Sequence, residues 1–539
     1  MQLGEVRRWA RRRGVSPSRL REAHDGALLH AISRLLQAIH RESRVTRLSQ
    51  DGRGRWRLDI GRAPVLRVPV SGPLPFGGLE TLARPWLIGA RKQRPVRTVE
   101  AFLTALRACL AGSEYSAVFG ALRSDFENSV ANVVLNRLIG TSLGKNSRAI
   151  EPAYQGHNYY PFPALRHGPT LSQVLKCSNL SARPVELPLL EIDGLRQVSG
   201  VFDDYQACLR AWSGLAPAES SGALVPVHPW QLELSPLVRE LLARGLASLS
   251  RRTLKAIPLA SQRTCRVVAT GFDLKLPVNA TLTGEHRLLY RLNCENAPVI
   301  SALASQFPHK TMDFQQDIAS IFHTERALAP HLSAIVRAPV RARAGEMIVP
   351  AINLWTGPNE ARRFLKASGT EEFFQRYCAA LMTGPVEFCS QWGMAFEPHL
   401  QNVYVAFRGG LPARIVLRDL DNTILDPRRV RPLARELGLE LQKDTWRSMP
   451  PFEVGAKRLV QAMLFGHLGE VIRCLQASNG AQPDRLAAIV EDTWSELAAR
   501  VPSPPARREV QALRGWSDAV KATLRTRLHR STTMEFVRE

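Results

Sequence analysis

A chain of 539 residues is too long for one simple core and implies about two to four lobes. Its hydrophobic fraction of 45% and charged fraction of 22% suit a soluble globular protein, and no apolar run reaches the length that would cross a membrane. The net charge of +24 would ordinarily point to nucleic acid, but nearly all of the 72 basic residues are Arg, spread along the chain without interleaved aromatics. We read this as attraction for small anionic substrates, with neither nucleic acid nor membrane as a partner.

Arg7, Arg8, Arg11, Arg12 and Arg13 crowd residues 1–25 with no apolar stretch behind them, so no signal peptide and a cytoplasmic location are expected. The eight cysteines are scattered, without a Cys-x-x-Cys pair or a zinc-spaced His, and read as reduced structural thiols. Leu28, Ile32, Leu35 and Ile39 keep one helical face, and alternating strands follow at 55–60 and 64–70. A long helix is predicted over 116–139, with Phe119, Leu122, Phe126, Val130, Val133 and Leu138 toward a core. Glu127, Ser129 and Asn132 lie on its polar side, read as a solvated face. Prolines and aromatics break helicity over 152–169, which sets a lobe boundary near residue 145. This loop carries His157, Asn158, Tyr160, Arg166 and His167, and loops often carry function. Val227-His228-Pro229-Trp230-Gln231 is an unusual cluster whose chemistry by itself dictates no role.

Two hairpins follow. In the first, 258–283, a turn centred on Phe272 would set Ser261 opposite Thr283 and Arg263 opposite Thr281. Leu276, Val278, Ala280 and Leu282 would form its apolar face, with Lys275, Asn279, Thr281 and Thr283 on the other. Pro277 cannot donate to a ladder and argues for an edge or a bulge. With Arg287 just beyond, this face reads as an anion site, since Arg forks match phosphate and carboxylate and Lys acts as a point charge. The second hairpin alternates Val403, Val405 and Phe407, breaks at Gly409-Gly410-Leu411-Pro412, and resumes at Ile415 and Leu417. A turn symmetric about Gly410 pairs Val405 with Ile415, Val403 with Leu417, and Gln401 with Asp419 on the next rung. Glu397 and His399 lie just upstream. Glu397 and Asp419 could supply the one or two carboxylates that Mg²⁺ usually takes alongside phosphate. A polar strand end at the surface is the plain alternative.

The ordered set Ser261-x-Arg263-Thr264, Lys275-Leu276, Thr283-x-x-x-Arg287, Glu397-x-His399-x-Gln401-Asn402 and Arg418-Asp419 resembles the siderophore synthetases that work independently of non-ribosomal peptide synthetases. This is the aerobactin-synthetase, or IucA/IucC, family. Supporting matches are Glu127/Ser129/Asn132, His228-Pro229, Ile335-Val336-Arg337 and the closing Lys521 to Arg527-Leu528.

The resemblance implies an α+β fold shaped as a three-lobed cradle: a thumb at 1–145, fingers at 146–330 and a palm at 331–539. Fingers and palm would hold antiparallel sheets, and the C-terminal part would be mostly helical. It also implies an ATP-dependent ligase that adenylates a carboxylate, often citrate, and condenses it with an amine or alcohol, releasing AMP and pyrophosphate. By position, Ser261, Arg263, Thr264 and Lys275 would hold the triphosphate, with His399, Gln401 and Asn402 near the nucleotide. Glu397 and Asp419 would approach Mg²⁺. His157, Arg166, Thr283, Arg287 and Lys521 would face the carboxylate substrate, and Arg263, Lys275, Arg287 and His399 would carry the chemistry. A homodimer, common in the family, stays open.

The family pattern Gly-His-Pro-x-His-Pro-x-x-Lys-x-Arg-x-Gly is broken here by Asn158, Tyr160 and Ala164, which removes two cation contacts to a polycarboxylate. Pro398 and Leu400 replace a usual Ala and Gly, and Asn422 a Gly. Two other readings remain at this stage. A kinase-like phosphotransferase would also use a His, an Asn and a metal-binding Asp in this order, but Leu400 stands where its catalytic base belongs. A catalytically silent scaffold subunit is the other.

Overall fold

The computed structural model describes residues 1–89, 92–140, 156–157, 159–181, 183–199, 204–216, 219, 222–356, 361, 364–365, 369–439, 441–501, 503–515, 519–521, 524 and 536–538. At 181, 356, 519–521 and 536–538 the backbone alone is described. The fold is mixed α+β, with antiparallel sheets ahead of a largely helical C-terminal part. The lobe boundary expected near residue 145 falls outside the described residues, as does Asn158.

Helix Pro17–Glu42 starts where the Ser16 side chain accepts the Arg19 N–H and Pro17 occupies the first turn. Leu28, Ile32, Leu35 and Ile39 are buried on its core face, as their spacing predicts. It packs on Phe119–Gly140. Beside this pair, Thr46–Gln50, Trp56–Ile60, Val65–Pro69, Trp86–Ile88 and Gln93–Pro95 form an antiparallel meander in sequence order. Helix Phe119–Gly140 departs from expectation in part: Glu127 stays half-exposed beside Arg123, but the rest of its polar side is not solvated. Asn128, Ser129, Asn132 and Asn136 are all buried, since the segment around Arg166 folds across them and uses their amides.

An eight-stranded sheet forms the middle of the molecule, and every neighbouring pair in it is antiparallel. Its register corrects the first hairpin. Thr264 pairs with Lys275 and Arg266 with Asp273, so Ser261 does not face Thr283. The strand Asp273–Lys275 ends there because Pro277 has no N–H for the ladder. Thr281–Leu282 instead joins a separate small sheet between Glu285–His286 and Arg166–His167. Leu276, Val278, Ala280 and Leu282 are buried, but so is Lys275, which the alternation had assigned to the polar face.

The second hairpin keeps its expected register: Val405 opposes Ile415 and Val403 opposes Leu417, with a bulge at Ala406/Phe407. Glu346–Pro350 extends it on one side, and Met312–Phe314 adds a parallel edge on the other. Among the described residues three apolar clusters run through the fold: one from Val6 to Val336 with Leu524, one from Ile300 to Leu513 with Tyr159, and a small one of Leu289, Cys294, Ala297, Phe322 and Ile335. The apolar run 459–468 is helical, and within it Gln461–Leu468 winds as a π-helix, a geometry common at functional sites. Among the described residues no helix is long and apolar enough to cross a membrane.

Candidate active site

A cavity of about 420 Å³ opens between the eight-stranded sheet and the end of the second hairpin. Seven Arg or Lys side chains line it against four carboxylates. Three of the four non-glycine residues with positive φ among the described residues lie in its walls: Gln262 at 69°, Thr283 at 49° and Asp419 at 71°. Such conformations cost free energy and concentrate where a site needs them.

The first wall is the turn at 259–264. Leu259 N–H bonds the Thr264 carbonyl at 2.8 Å, and Ser261 Oγ accepts the Thr264 N–H at 3.1 Å. Arg263, 9% exposed, donates Nη1 to the Leu288 and Arg287 carbonyls at 3.2 and 3.4 Å. Burial first, and then the neighbouring Arg287, lower its pKa to about 10. His228 finds its role here. Its Nδ1 accepts the Trp230 N–H at 3.1 Å, capping helix Pro229–Leu234. The other nitrogen therefore carries the proton and bonds the Gln262 backbone. Burial takes this imidazole down to about 3, so it is neutral. The cluster that carried no role in the sequence is a brace beneath the turn.

The second wall is the segment 397–402 with Arg418. Arg418 N–H bonds the Asn402 carbonyl at 3.0 Å. The Arg418 guanidinium takes the Gln401 carbonyl through Nε at 2.9 Å and Tyr404 Oη through Nη1 at 2.7 Å. The expected Gln401–Asp419 rung does not form, because strand pairing ends at Leu417 and Asp419 turns left-handed. Asn402 is buried, its amide donating to the Glu397 carbonyl at 3.2 Å. Glu397 Oε1 pairs with Arg458 Nη2 at 2.5 Å.

Between the walls sits a buried ion network. Lys275 Nζ reaches Asp419 Oδ1 at 2.8 Å and Asp421 Oδ1 at 2.5 Å, although Lys275 is only 1% exposed. Arg337 bonds Asp419 through Nη2 and Asp317 through Nε, the latter at 2.7 Å. Asn293 adds an amide to Asp421 Oδ2 at 3.2 Å. Burial opposes the charge on Asp419, but Lys275, Arg337 and Arg263 outweigh it and hold the carboxyl well below the usual range. Asp317 goes the other way, pushed up by burial to about 6 against the pull of Arg337. The ammonium of Lys275, read from the sequence as a phosphate contact, is thus occupied by two carboxylates.

The third side is the loop around 156–166. Arg166 is 4% exposed and donates to the Asn132 and Asn136 side-chain oxygens at 2.8 and 3.2 Å. No carboxylate contacts it among the described residues, and burial alone lowers its pKa to about 10. His157 Nδ1 accepts the Tyr159 N–H at 3.2 Å, and the His157 ring meets His399 edge-on at 5.7 Å between centroids. Tyr160 lies over Gly284, whose φ is +89°; a Cβ there would fall 1.6 Å from the Tyr160 oxygen. Arg287 bonds the Thr283 hydroxyl and pairs with Glu285 at 3.1 Å.

The expected residues Ser261, Arg263, Thr264, Lys275, Thr283, Arg287, His157, Arg166, Glu397, His399, Gln401, Asn402 and Asp419 therefore all line one cavity. The Lys521 side chain lies outside the described residues. Asp421, Asn293, Arg458 and Gln461 line the cavity too and were missed by the sequence reading. Asp421 was visible in Arg418-Asp419-Leu420-Asp421; the other three carry no local signal.

The donor set suits an anion with a divalent cation. Asp419 commits Oδ1 to Lys275 and Arg337, while no contact to Oδ2 is formed among the described residues. No three His, Cys, Asp or Glu among the described residues form a cage. A metal here would depend on ligand oxygens, which is the usual habit of Mg²⁺ with phosphates.

The fold is shared with solved structures of siderophore-biosynthesis proteins. The chain aligns with the petrobactin biosynthesis protein AsbB from Bacillus anthracis at a TM-score of 0.80 and 16% identity, covering 96% of this chain and 95% of that one. It aligns with ATP-bound aerobactin synthetase IucA from Klebsiella pneumoniae at 0.73 and 17% identity, covering 94% and 98%. In sequence, residues 147–355 match the model of the IucA / IucC family, and residues 371–535 match one described as "Ferric iron reductase FhuF-like transporter". The chain is a relative of the NRPS-independent siderophore synthetases of the IucA/IucC family, as its motifs indicated.

Among curated relatives, a Staphylococcus aureus 2-[(L-alanin-3-ylcarbamoyl)methyl]-3-(2-aminoethylcarbamoyl)-2-hydroxypropanoate synthase is 26% identical, over 50% of this chain and 51% of that protein. D-ornithine–citrate ligase of the same organism is 22% identical, over 67% and 63%. The chain spans about half the length of the first curated relatives it matches.

Proposed function

We propose that this protein is an ATP-dependent, AMP-forming synthetase that joins a citrate-type carboxylate to an amine or alcohol in siderophore biosynthesis. The observation that carries the reading is the state of two cavity cations. Among the described residues Arg263 and Arg166, both nearly buried, hydrogen-bond only carbonyl and amide oxygens, and Asp419 and Asp421 act on Arg263 without a hydrogen bond to it. A desolvated guanidinium with no carboxylate in hydrogen-bond contact is costly unless an anion arrives to pair with it. Two such groups at different sides of one cavity suit a reaction that must bring two anions together.

In this reading Arg263 with the Ser261–Thr264 turn receives the triphosphate, and Arg166, with Thr283 and Arg287, receives the acid. His399 lines the same cavity against His157. The acid's carboxylate oxygen attacks the α-phosphorus and pyrophosphate leaves. The amine or alcohol then attacks the activated carbonyl and AMP departs. Lys275 acts indirectly, keeping Asp419 ionised and aimed at the cavity. Asp419, with Glu397, would hold Mg²⁺, which when bound neutralises charge growing on the pyrophosphate. In this reading the thumb, fingers and palm would fall at 1–145, 146–330 and 331–539.

Tyr160 and Ala164, standing where the family carries His and Lys, leave fewer cations for a free tricarboxylate. We therefore place a citrate already amidated at one carboxyl ahead of free citrate. This agrees with the relative named as a carbamoyl-hydroxypropanoate synthase. The test is pyrophosphate release from ATP and Mg²⁺ with citrate, 2-oxoglutarate and citryl monoamides against diamines and amino acids. Acid-dependent release, lost in Arg263→Ala and His399→Ala, is expected. ADP as the product, or silence in every combination, would overturn the reading.

A further inference from the structure

His467 takes no part in the cavity lining, yet it is fully buried and connected to the wall that carries His399. Its Nδ1 lies 2.8 Å from the Pro398 carbonyl and its Nε2 lies 2.6 Å from Tyr377 Oη. A carbonyl only accepts, so Nδ1 must carry the proton and Nε2 must accept from the phenol. Tyr377 Oη in turn accepts the Trp355 indole N–H at 3.0 Å. Every polar atom in this line is satisfied in one direction, from Trp355 through Tyr377 and His467 to Pro398, and none of the three side chains exceeds 5% exposure. A single proton placement is therefore favoured, because the reverse tautomer would put two acceptors face to face in a dry interior. Burial keeps the imidazole neutral by lowering it to about 3.

The bond lands on the peptide that joins Pro398 to His399. His399 is further constrained from the same helix: a Cβ on Gly466 would come within 3.3 Å of His399 Cβ. Both Gly466 and His467 belong to the π-helical segment Gln461–Leu468. Its wider winding brings successive residues to the His399 segment, one by close approach and one by hydrogen bond.

We propose that His467 is a positioning residue for the candidate active site. Its bond to the Pro398 carbonyl, with the tautomer set by Tyr377, fixes the backbone that aims His399 at the cavity. The effect on turnover rests on the synthetase reading, whereas the tautomer and the brace do not.

The test compares His467→Asn, whose amide nitrogen sits where Nδ1 was, with His467→Gln, whose amide sits where Nε2 was. Both are polar amides, Gln the closer to His in bulk and Asn one methylene shorter, and Tyr377→Phe removes the partner that sets the tautomer. Nitrogen-15 spectra of the histidine-labelled wild type are expected to show one neutral ring protonated at Nδ1 between pH 6 and 8. The same ring shifts toward mixed tautomers in Tyr377→Phe. In pyrophosphate release, His467→Gln is expected to lower kcat about 10- to 100-fold with little change in the KM for ATP. His467→Asn should stay within about threefold of wild type, since the donor to Pro398 is retained. An Nε2-protonated ring, or equal losses in the Asn and Gln variants, would overturn the proposal. A wild type without pyrophosphate release in any substrate combination would sink the synthetase reading instead. The spectra and the His399 ring shifts in the Asn and Gln variants would then still decide the brace.

Discussion

Removing the ammonium from the central ion network is the sharpest perturbation the structure offers. Lys275→Met keeps an apolar stem one atom shorter, but Asp421, itself buried, loses its 2.5 Å partner, and Asp419 loses the largest of the charges that stabilise it. Breaking a buried pair from one side costs about 3–5 kcal/mol, mostly from the carboxylate left uncompensated. Asn293 still donates to Asp421 and Arg337 still reaches Asp419, which favours the lower end, about 3 kcal/mol. The assay is urea unfolding followed by tryptophan fluorescence and far-ultraviolet dichroism, on wild type, Lys275→Met, Asp421→Asn and the double variant. Neutralising Asp421 in the Lys275→Met background removes the orphaned charge, so the double variant should recover at least about 1 kcal/mol over Lys275→Met. A Lys275→Met protein within about 1 kcal/mol of wild type, or fully additive losses, would refute the view that Lys275 serves the carboxylates.

Acid should weaken the fold through its buried imidazoles. His228 and His467 are held near 3 in the folded protein, so the unfolded chain binds more protons below its own value of about 6.5. Their stabilisation is present above that value and falls as pH drops, by about 2 kcal/mol each at pH 5. Asp317, raised to about 6, is protonated more readily folded than unfolded, and returns about 1 kcal/mol over the same interval. His228→Gln should flatten the decline of the urea midpoint between pH 7 and 5 by about 2 kcal/mol; an unchanged slope counts against it. Arg166→Gln should raise the KM for the carboxylate about 10- to 100-fold while shifting stability by under about 2 kcal/mol. A large stability loss with an unchanged KM would make Arg166 structural. Gly284→Ala should cost about 1–3 kcal/mol and displace Tyr160, through both the positive φ and the clash with the phenol oxygen. Tyr160→Ala in the same chain should return the clash part, read by the urea midpoint.

The residue types of the site were legible early because chemistry concentrates them in short runs. Glu397 to Asn402, Arg418-Asp419 and Ser261 to Thr264 announce themselves by composition. The register of the second hairpin followed from a period-two pattern and a double-glycine turn. The first hairpin misled because alternation continued past Pro277 while the ladder did not. Alternation reports burial, and Leu276 to Leu282 are buried, but only the hydrogen-bond partners decide which sheet a segment joins.

The sequence by itself determined the α+β class, the family likeness and the residues of one cavity, since periodicity and motif spacing are local properties of the chain. Tertiary structure decided what those residues are free to do. Lys275 reads as a phosphate ligand until Asp419 and Asp421 close on it from 144 and 146 residues away. Asn132 reads as surface until Arg166 takes its amide oxygen. His228 and His467 read as nothing in particular until each is found beneath a wall of the site. Charge pairing and hydrogen bonding depend on distance in space, which the order of residues along the chain does not record.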